Sequence, residues 1–292
     1  MKKIDIHLHT TINEEGFGTK ISAAPKLLDY LKIKNIFRGI IMSSGESGAL
    51  NNDECMRICE KYAELYWNCN FDEVNPETIY DRMDVCKKAG AVGVGELTVN
   101  KWIDSHILQA IFAAAEKLEL PVTIHMSSEE GYEYGIADYP GLPLLEKVLK
   151  DFPHLKIVGH SQVFWIEISK AAPKDREGRY RRGEGAVEPG GRLVTLFENY
   201  SNLYGDLSAC SGYSAITRDE EFGLTFLEKF SDRLLFGTDT ASAASGWLAP
   251  LGDWLDEKFQ EGKISSQTMA KICYKNAARL YGIPIEKWKG EQ

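Results

Sequence analysis

Residue types that bind divalent metals recur at the ends of apolar segments in this chain. The first are His7 and His9, which follow the alternating run Ile4-Asp5-Ile6. In an extended strand, residues i and i+2 point to the same side, so both imidazoles project together from the strand end. Two protonated imidazoles would repel at this distance, whereas a divalent metal binds both in the neutral form. The pair therefore indicates one part of a metal site.

Four more residues of ligand type end later apolar segments. They are Glu96, His125, His160 and Asp239. Each alone has an ordinary structural alternative: a histidine after an apolar run is often a core residue. Likewise Asp239 could cap a helix, and Glu96 could pair with Lys101. Imidazoles and carboxylates together are typical ligands of borderline divalent metals. Because six such residues stand at the ends of five segments, we predict one shared metal site.

The segments that carry these residues alternate with stretches of helical pattern. We predict eight strands, at 3–9, 36–42, 65–70, 91–97, 121–125, 156–160, 203–207 and 234–239. Several are almost continuously apolar, as expected of strands buried on both faces of a parallel sheet. Alternating strands and helices predict an α/β fold, a (β/α)8 TIM barrel that forms a single domain over residues 1–292. The carboxyl ends of its strands would share one mouth, where active sites are built.

Loops at that mouth supply candidate substrate contacts. The long connection after His160 contains the charged stretch 174–184, which could form a lid or a solvated surface excursion. Its arginines could grip a carboxylate or phosphate, although interleaved acidic residues favour a solvated loop. These arginines are Arg176, Arg179, Arg181 and Arg182. The aromatic residues Trp165 and Tyr213 could line a pocket or pack within loops. Asp206, at the end of strand seven, could hydrogen-bond a metal-bound histidine or cap a turn.

The charge and the apolar content of the chain indicate which classes of binding partner to expect. The chain has 34 basic and 43 acidic residues, a net charge of −9, which argues against a nucleic-acid binder. No apolar run reaches signal-peptide length or the ~18 residues of a membrane span. We therefore expect a cytoplasmic protein with a small-molecule substrate and neither nucleic-acid nor membrane partners. Homo-oligomerisation stays open.

With these residues in view, the sequence resembles the amidohydrolase superfamily of metal-dependent (β/α)8 barrels. The resemblance runs from the opening His7-x-His9 to the stretch 276–282, which looks like the final helix of the amidohydrolase-2 branch. That branch includes aminocarboxymuconate-semialdehyde decarboxylase and related lactonases. The ordered set His-x-His, His, His and Asp is the specific part of this resemblance.

Glu96 bears on the number of ions that the resemblance implies. Superfamily members with a carbamylated lysine or a glutamate at strand four hold two metals, whereas the amidohydrolase-2 decarboxylases typically lack it and hold one zinc. In a two-ion site, His7, His9 and Asp239 would hold one ion. His125 and His160 would then hold the other, with Glu96 as the bridge. In a one-ion site the ligands would be His7, His9, His125 and Asp239. His160 would then orient or polarise the substrate.

The implied chemistry is hydrolysis of a small amide, lactone or ester. A bound divalent ion lowers the pKa of its water to about 7. Asp239 would act as general base and acid, and His160 would polarise the substrate. The expected cofactor is one or two Zn²⁺ ions, with Mn²⁺, Fe²⁺ or Ni²⁺ as alternatives. A metal-dependent decarboxylase of a small carboxylic acid is the second interpretation, and a TatD-like nuclease ranks third.

Overall fold

Eight parallel strands, paired in chain order, form the barrel. The computed structural model describes residues 1–16, 18–45, 48–71, 75–242 and 250–285. The strands are β1 Lys3–Leu8, β2 Ile36–Met42, β3 Leu65–Cys69, β4 Gly93–Leu97, β5 Val122–Ser127, β6 Ile157–His160, β7 Leu203–Asp206 and β8 Leu234–Leu235. The barrel closes where Ile6 N–H donates to Phe236 O (3.1 Å) and Asp239 N–H donates to His7 O (2.9 Å). The predicted (β/α)8 barrel is confirmed.

Helices surround the strands, as the alternating pattern predicts. Within the described ranges they are α1 Ala24–Ile33, α2 Asn52–Lys61, α3 Ile79–Lys88, α4 His106–Lys117, α5 Pro143–Asp151, α6 Gln162–Ile166, α7 Arg176–Arg179, α8 Arg192–Asn199, α9 Ala209–Thr217, α10 Glu220–Lys229, α11 Leu251–Gln260, α12 Ser266–Ala270 and α13 Asn276–Tyr281. A π-helical turn, Lys271–Lys275, joins the last two. Short strand pairs add to the loops at Glu15–Gly16 with Thr19–Lys20, and at Ile136–Ala137 beside β5.

Buried apolar side chains of the strands pack against those of the surrounding helices. Ile4, Ile6 and Leu235 lie in one buried cluster with Ala277 and Tyr281 of α13, so the last helix packs against β1 and β8. A larger cluster fills the space between the other strands and helices. Among the residues that the structure describes, no helix has the length and apolar character needed to cross a membrane.

The last strand is shorter than predicted. Regular pairing covers only Leu234–Leu235 of the predicted range 234–239. Asp239 adopts a positive φ of 57°, which an extended strand does not accommodate. In addition, the Asp5 carboxylate accepts hydrogen bonds from Thr238 N–H (3.0 Å) and Thr238 Oγ–H (2.6 Å). These contacts turn the chain out of the sheet and bring Asp239 to the mouth.

Candidate metal centre

The six predicted ligands meet at the carboxyl ends of the barrel strands. His7 lies on β1 and His9 follows it, whereas Glu96, His125 and His160 lie on β4, β5 and β6. Asp239 follows β8. Three overlapping groups of these side chains place their ligand atoms within 4.8 Å of one another, as a metal ion requires. The groups are His7 with His160 and Asp239, His7 with His9 and Glu96, and Glu96 with His125 and His160.

Glu96 lies between two pairs of imidazoles. Its Oε2 atom is 3.5 Å from His7 Nε2 and 3.8 Å from His9 Nε2. Its Oε1 atom is 2.7 Å from His125 Nδ1 and 3.7 Å from His160 Nε2. Each carboxylate oxygen therefore faces one pair. The alternative partner Lys101 instead bonds Glu130, at 2.7 Å.

Asp239 contacts the same histidines from the mouth. Its Oδ1 atom is 3.4 Å from His7 Nε2 and 3.2 Å from His9 Nε2, and its Oδ2 atom is 3.7 Å from His160 Nε2. Its side chain is 27% exposed, against 9% for Glu96. Of the two carboxylates, Asp239 is thus the one that a molecule entering the mouth can reach.

The backbone around Glu96 is specialised to aim its side chain. The β4–β5 register shifts between Val94 and Leu97, an irregularity of the kind that re-aims side chains beside active sites. Gly95 has a φ of 116°, and a Cβ atom there would lie 2.4 Å from Thr123 O. Only glycine fits this position, so Gly95 lets β4 approach β5 while Glu96 turns toward the histidines.

Asp206 fixes the orientation of two of the imidazoles. Its fully buried Oδ2 atom lies 2.7 Å from His7 Nδ1 and 3.1 Å from His160 Nδ1. Because each Nδ1 bonds Asp206, each Nε2 points toward Glu96 and Asp239. Ser208 adds a second contact, with its Oγ 3.2 Å from His160 Nδ1. The predicted contact of Asp206 with a ligand histidine is therefore present.

The electrostatics of the cluster suit a cation. Burial opposes ionisation of Glu96, but the neighbouring charges of His7 and His125 hold its pKa well below the usual range. Burial also opposes ionisation of Asp239, but the charge of His7 outweighs the effect of burial, so the pKa of Asp239 is lowered as well. Both carboxylates are therefore ionised at neutral pH.

A buried ring nitrogen gives a separate test of fit. Within the described part of the chain, His7 Nε2, which faces Glu96 and Asp239, has no hydrogen-bond partner. Burying such a polar atom without a partner costs about 1–3 kcal/mol. An imidazole lone pair and two ionised carboxylates face one another here, which is the arrangement that a divalent cation needs. The residues present therefore fit the metal that the resemblance implies.

An aromatic residue that the sequence analysis missed stands beside the centre. Tyr134 packs its ring against His125, with centroids 4.4 Å apart, and is 56% exposed. The adjacent Gly135 makes this contact feasible, since a Cβ there would lie 2.8 Å from His125 Cδ2. Burial and the charge of Glu96 raise the pKa of Tyr134, which is therefore protonated at neutral pH and able to donate a hydrogen bond. The only sequence signal was an aromatic residue on the connection after strand five.

Two of the candidate substrate contacts lie inside the protein. Trp165 is 2% exposed, and its indole N–H donates to Asp206 O at 2.9 Å, which favours the packing alternative. Arg179 is 1% exposed and donates to Ser128 O (3.1 Å) and Asp138 O (2.7 Å). The charged stretch 174–184 is therefore packed against the connection after β5 at this point, rather than wholly solvated.

The other two lie nearer the surface. The Arg176 guanidinium stands 4.7 Å from the ring centroid of Tyr132 and 3.7 Å from Glu129 Oε2. Tyr213, on α9, is half-buried and packs against the hydrophobic core. Arg176 thus contacts Tyr132 and Glu129, whereas Tyr213 packs against the core, and the role of both toward a substrate stays a prediction.

Similar folds occur among solved enzymes. A probable 2-pyrone-4,6-dicarboxylic acid hydrolase from Acinetobacter baumannii, with citric acid bound, matches at 14% identity and a TM-score of 0.59, over 97% of this chain and 100% of that one. The 2,6-dihydroxybenzoate decarboxylase from Rhizobium matches at 16% identity and a TM-score of 0.59, over 97% and 99%. A dihydroxybenzoic acid decarboxylase from Polaromonas sp. JS666, with bound manganese, matches at 15% identity and a TM-score of 0.58, over 96% and 97%. These likenesses show the fold.

Family membership rests on the sequence itself. No curated protein matches the chain. Residues 4–283, however, match the profile of the family described as Amidohydrolase, Amidohydro_2, which spans nearly the whole barrel and includes all six clustered side chains. The chain belongs to this amidohydrolase family of enzymes.

Proposed function

We propose that this protein is a metal-dependent hydrolase of a small lactone, ester or amide, with two divalent ions bridged by Glu96. The observation that carries the proposal is the position of the Glu96 carboxylate, which offers one oxygen to His7 and His9 and the other to His125 and His160. A carboxylate with this division of contacts suits a bridge between two ions. Zinc is the proposed metal because imidazole-rich sites favour it.

The residues divide the work of hydrolysis. Divalent ions held by the six clustered side chains would supply Lewis-acid polarisation of the substrate and would lower the pKa of water. Asp239, exposed to the mouth, accepts a proton from the water that attacks the acyl carbon and donates it to the leaving group as the acyl bond breaks. Asp206 holds His7 and His160 in place throughout. Tyr134 lies beside His125, where its phenol O–H can donate to a substrate oxygen.

Decarboxylation is the alternative, and the names of two structural neighbours favour it. The Rhizobium and Polaromonas proteins are decarboxylases, whereas the Acinetobacter protein is named a hydrolase. A decarboxylase would protonate a ring carbon as the carboxylate leaves as CO2. The same imidazoles and carboxylates could serve either reaction, so the products must distinguish them.

The test is a product screen on the protein equilibrated with Zn²⁺ and, separately, with Mn²⁺. Lactones, esters, amides and aromatic carboxylates are each followed for acid release and for CO2. We expect acid release from at least one lactone, ester or amide, without CO2. Protein treated with a chelator is the control and should be inactive. CO2 from an aromatic carboxylate, with no hydrolysis of the other classes, would contradict the proposal and favour the decarboxylase.

A further inference from the structure

Two arginines of the stretch 174–184 line a cavity that lies apart from the metal centre. The cavity has a volume of about 460 Å³, within the range of small-molecule sites. Arg181 and Arg182 form part of its wall, and Arg218, which follows α9, contributes a third guanidinium. None of the six clustered metal-ligand candidates lines it.

A smaller pocket, here called the inner pocket, adjoins the cavity, and most of its lining residues are basic or polar. The inner pocket shares Arg181, Arg182 and Arg218 with the larger cavity and adds Ser211 and Gln162. No acidic residue lines it. Its free volume of about 10 Å³ admits about one oxygen atom, so a single oxygen of a larger group would enter it while the rest of the group stands in the larger cavity.

Several donors in this pocket lack a partner. Ser211 is 5% exposed, and its Oγ has no hydrogen-bond partner among the described residues. Within that same part of the chain, buried Nε and Nη2 of Arg218 also have none. Arg218 Nη1 makes only a long contact, 3.5 Å, to Glu184 O. Buried donors left unpaired are costly, so the arrangement favours an acceptor that bonds all of them.

Nearby carboxylates form no direct ion pair with the three guanidiniums, although the charge of Asp219 acts on Arg218. In the described ranges, no carboxylate oxygen forms an ion pair within 4.0 Å of Arg181, Arg182 or Arg218. Asp175, Glu177 and Glu184 line only the outer cavity. The Asp175 carboxylate is already engaged, since it accepts the N–H of Gly178 at 2.8 Å. The positive charge at the inner end is therefore available to a ligand.

We propose that this cavity binds a small molecule through an oxyanion, a phosphate or carboxylate group. Arg218 and Arg182 donate to the anion, because guanidinium groups suit the oxygen pairs of such groups, and Ser211 donates its hydroxyl proton. The rest of the ligand occupies the outer cavity. Trp165 connects the two sites, since it lines the inner pocket and donates to Asp206 O.

The test is calorimetric titration of the metal-loaded protein with inorganic phosphate and with malonate, at an ionic strength matched with chloride. We expect binding to the unaltered protein, and Arg218→Gln should weaken it about tenfold or more, the loss expected for one charged hydrogen bond. Arg182→Gln, at an exposed position, and Ser211→Ala should each weaken it too. Arg176→Gln, on the same stretch but bonded elsewhere, should leave it unchanged.

Thermal melting without phosphate checks that each variant is folded. Tighter binding of phosphate would identify a phosphate ligand, and tighter binding of malonate a carboxylate. Absence of binding to the unaltered protein would overturn the proposal. So would equal binding by the Arg218→Gln and Arg182→Gln variants, because the anion would then bind elsewhere, such as at the metal centre.

Discussion

At the residue scale, the candidate centre depends on a division of labour among three carboxylates. Glu96 lies between the imidazole pairs, Asp239 faces the mouth, and the buried Asp206 bonds the far nitrogens of His7 and His160. Substitution of each of these three carboxylates should therefore have its own effect, different from that of the other two. Metal content, turnover and ring orientation are separate readouts of these three roles.

His9→Ala should remove most of the bound metal, because it deletes one ligand and opens the side of the site nearest His7. Elemental analysis after dialysis against metal-free buffer measures the loss. His154→Ala, at an exposed histidine away from the mouth, is the matched control and should retain the metal. Unchanged metal content in His9→Ala would remove it from the ligand set.

Asp239→Asn should lower kcat about 10²–10⁴-fold, the usual contribution of a positioned proton-transfer group, while part of the metal stays bound. Steady-state kinetics on the substrate found in the product screen, with metal analysis of the same sample, would measure both. Asp253→Asn, at an exposed carboxylate on α11, should behave like the unaltered protein. Full activity of Asp239→Asn would rule out the proton-transfer role.

The candidate metal ligands could be predicted from the sequence, but the residues that pack beside them could not. His7, His125 and His160 were found because each ends an apolar strand, which a periodic pattern reveals. Tyr134 reaches His125 through a loop whose path no periodicity encodes. The burial of Trp165 and Arg179 was equally hidden, because it depends on packing between connections that are distant in sequence.

At the element scale, strand positions were predicted better than strand ends. Apolar runs located all eight strands, and β2 matches its predicted range, 36–42. The error at β8 arose because the Asp5 carboxylate captures Thr238 N–H and Oγ–H. A side chain that competes with the backbone ladder in this way is not visible in the hydrophobic pattern.

The junction between β5 and α5 should make stability depend on pH. The Asp138 carboxylate accepts Leu144 N–H (3.1 Å) and Leu145 N–H (2.8 Å), at the start of α5. Burial raises its pKa from 3.8 to about 6. Between these values the folded chain holds a proton that the unfolded chain has lost. Stability from this group therefore falls as pH rises through the window, by roughly 3 kcal/mol in total.

Asp138→Asn should lack this dependence. Urea unfolding with chelator present, at pH 4 and pH 7, should show the unaltered protein losing stability relative to Asp138→Asn as pH rises. Asp151→Asn, at the exposed end of the same helix, is the control and should follow the unaltered protein. A constant difference between Asp138→Asn and the unaltered protein at both pH values would refute this prediction.

At the scale of the whole molecule, the sequence predicted the barrel and the family but not the reaction. Alternating strands and helices define the fold, and ligand residues at the strand ends define the family. Hydrolysis and decarboxylation share this framework, as the names of the structural neighbours illustrate. We propose that substrate choice depends on loops such as the one that carries Tyr134, whose sequence the fold does not dictate.

Metal binding should stabilise the whole barrel, because the ligands come from strands throughout the chain. A ligand at one hundred times its Kd adds about 2.7 kcal/mol, which raises the Tm of a protein of this size by roughly 4–5 °C. Thermal melting with Zn²⁺ and with chelator measures the difference. The His9→Ala variant should show a much smaller shift. Identical melting of the unaltered protein in both conditions would argue against a metal that bridges the strands.

If Glu96 bridges two ions, the number of ions bound per chain should reveal it. The protein is saturated with Zn²⁺, freed of unbound ion by gel filtration and measured by elemental analysis. We expect close to two ions per chain, falling toward one in Glu96→Gln, which keeps the side-chain shape but removes the bridging charge. One ion per chain in the unaltered protein, unchanged by Glu96→Gln, would contradict it.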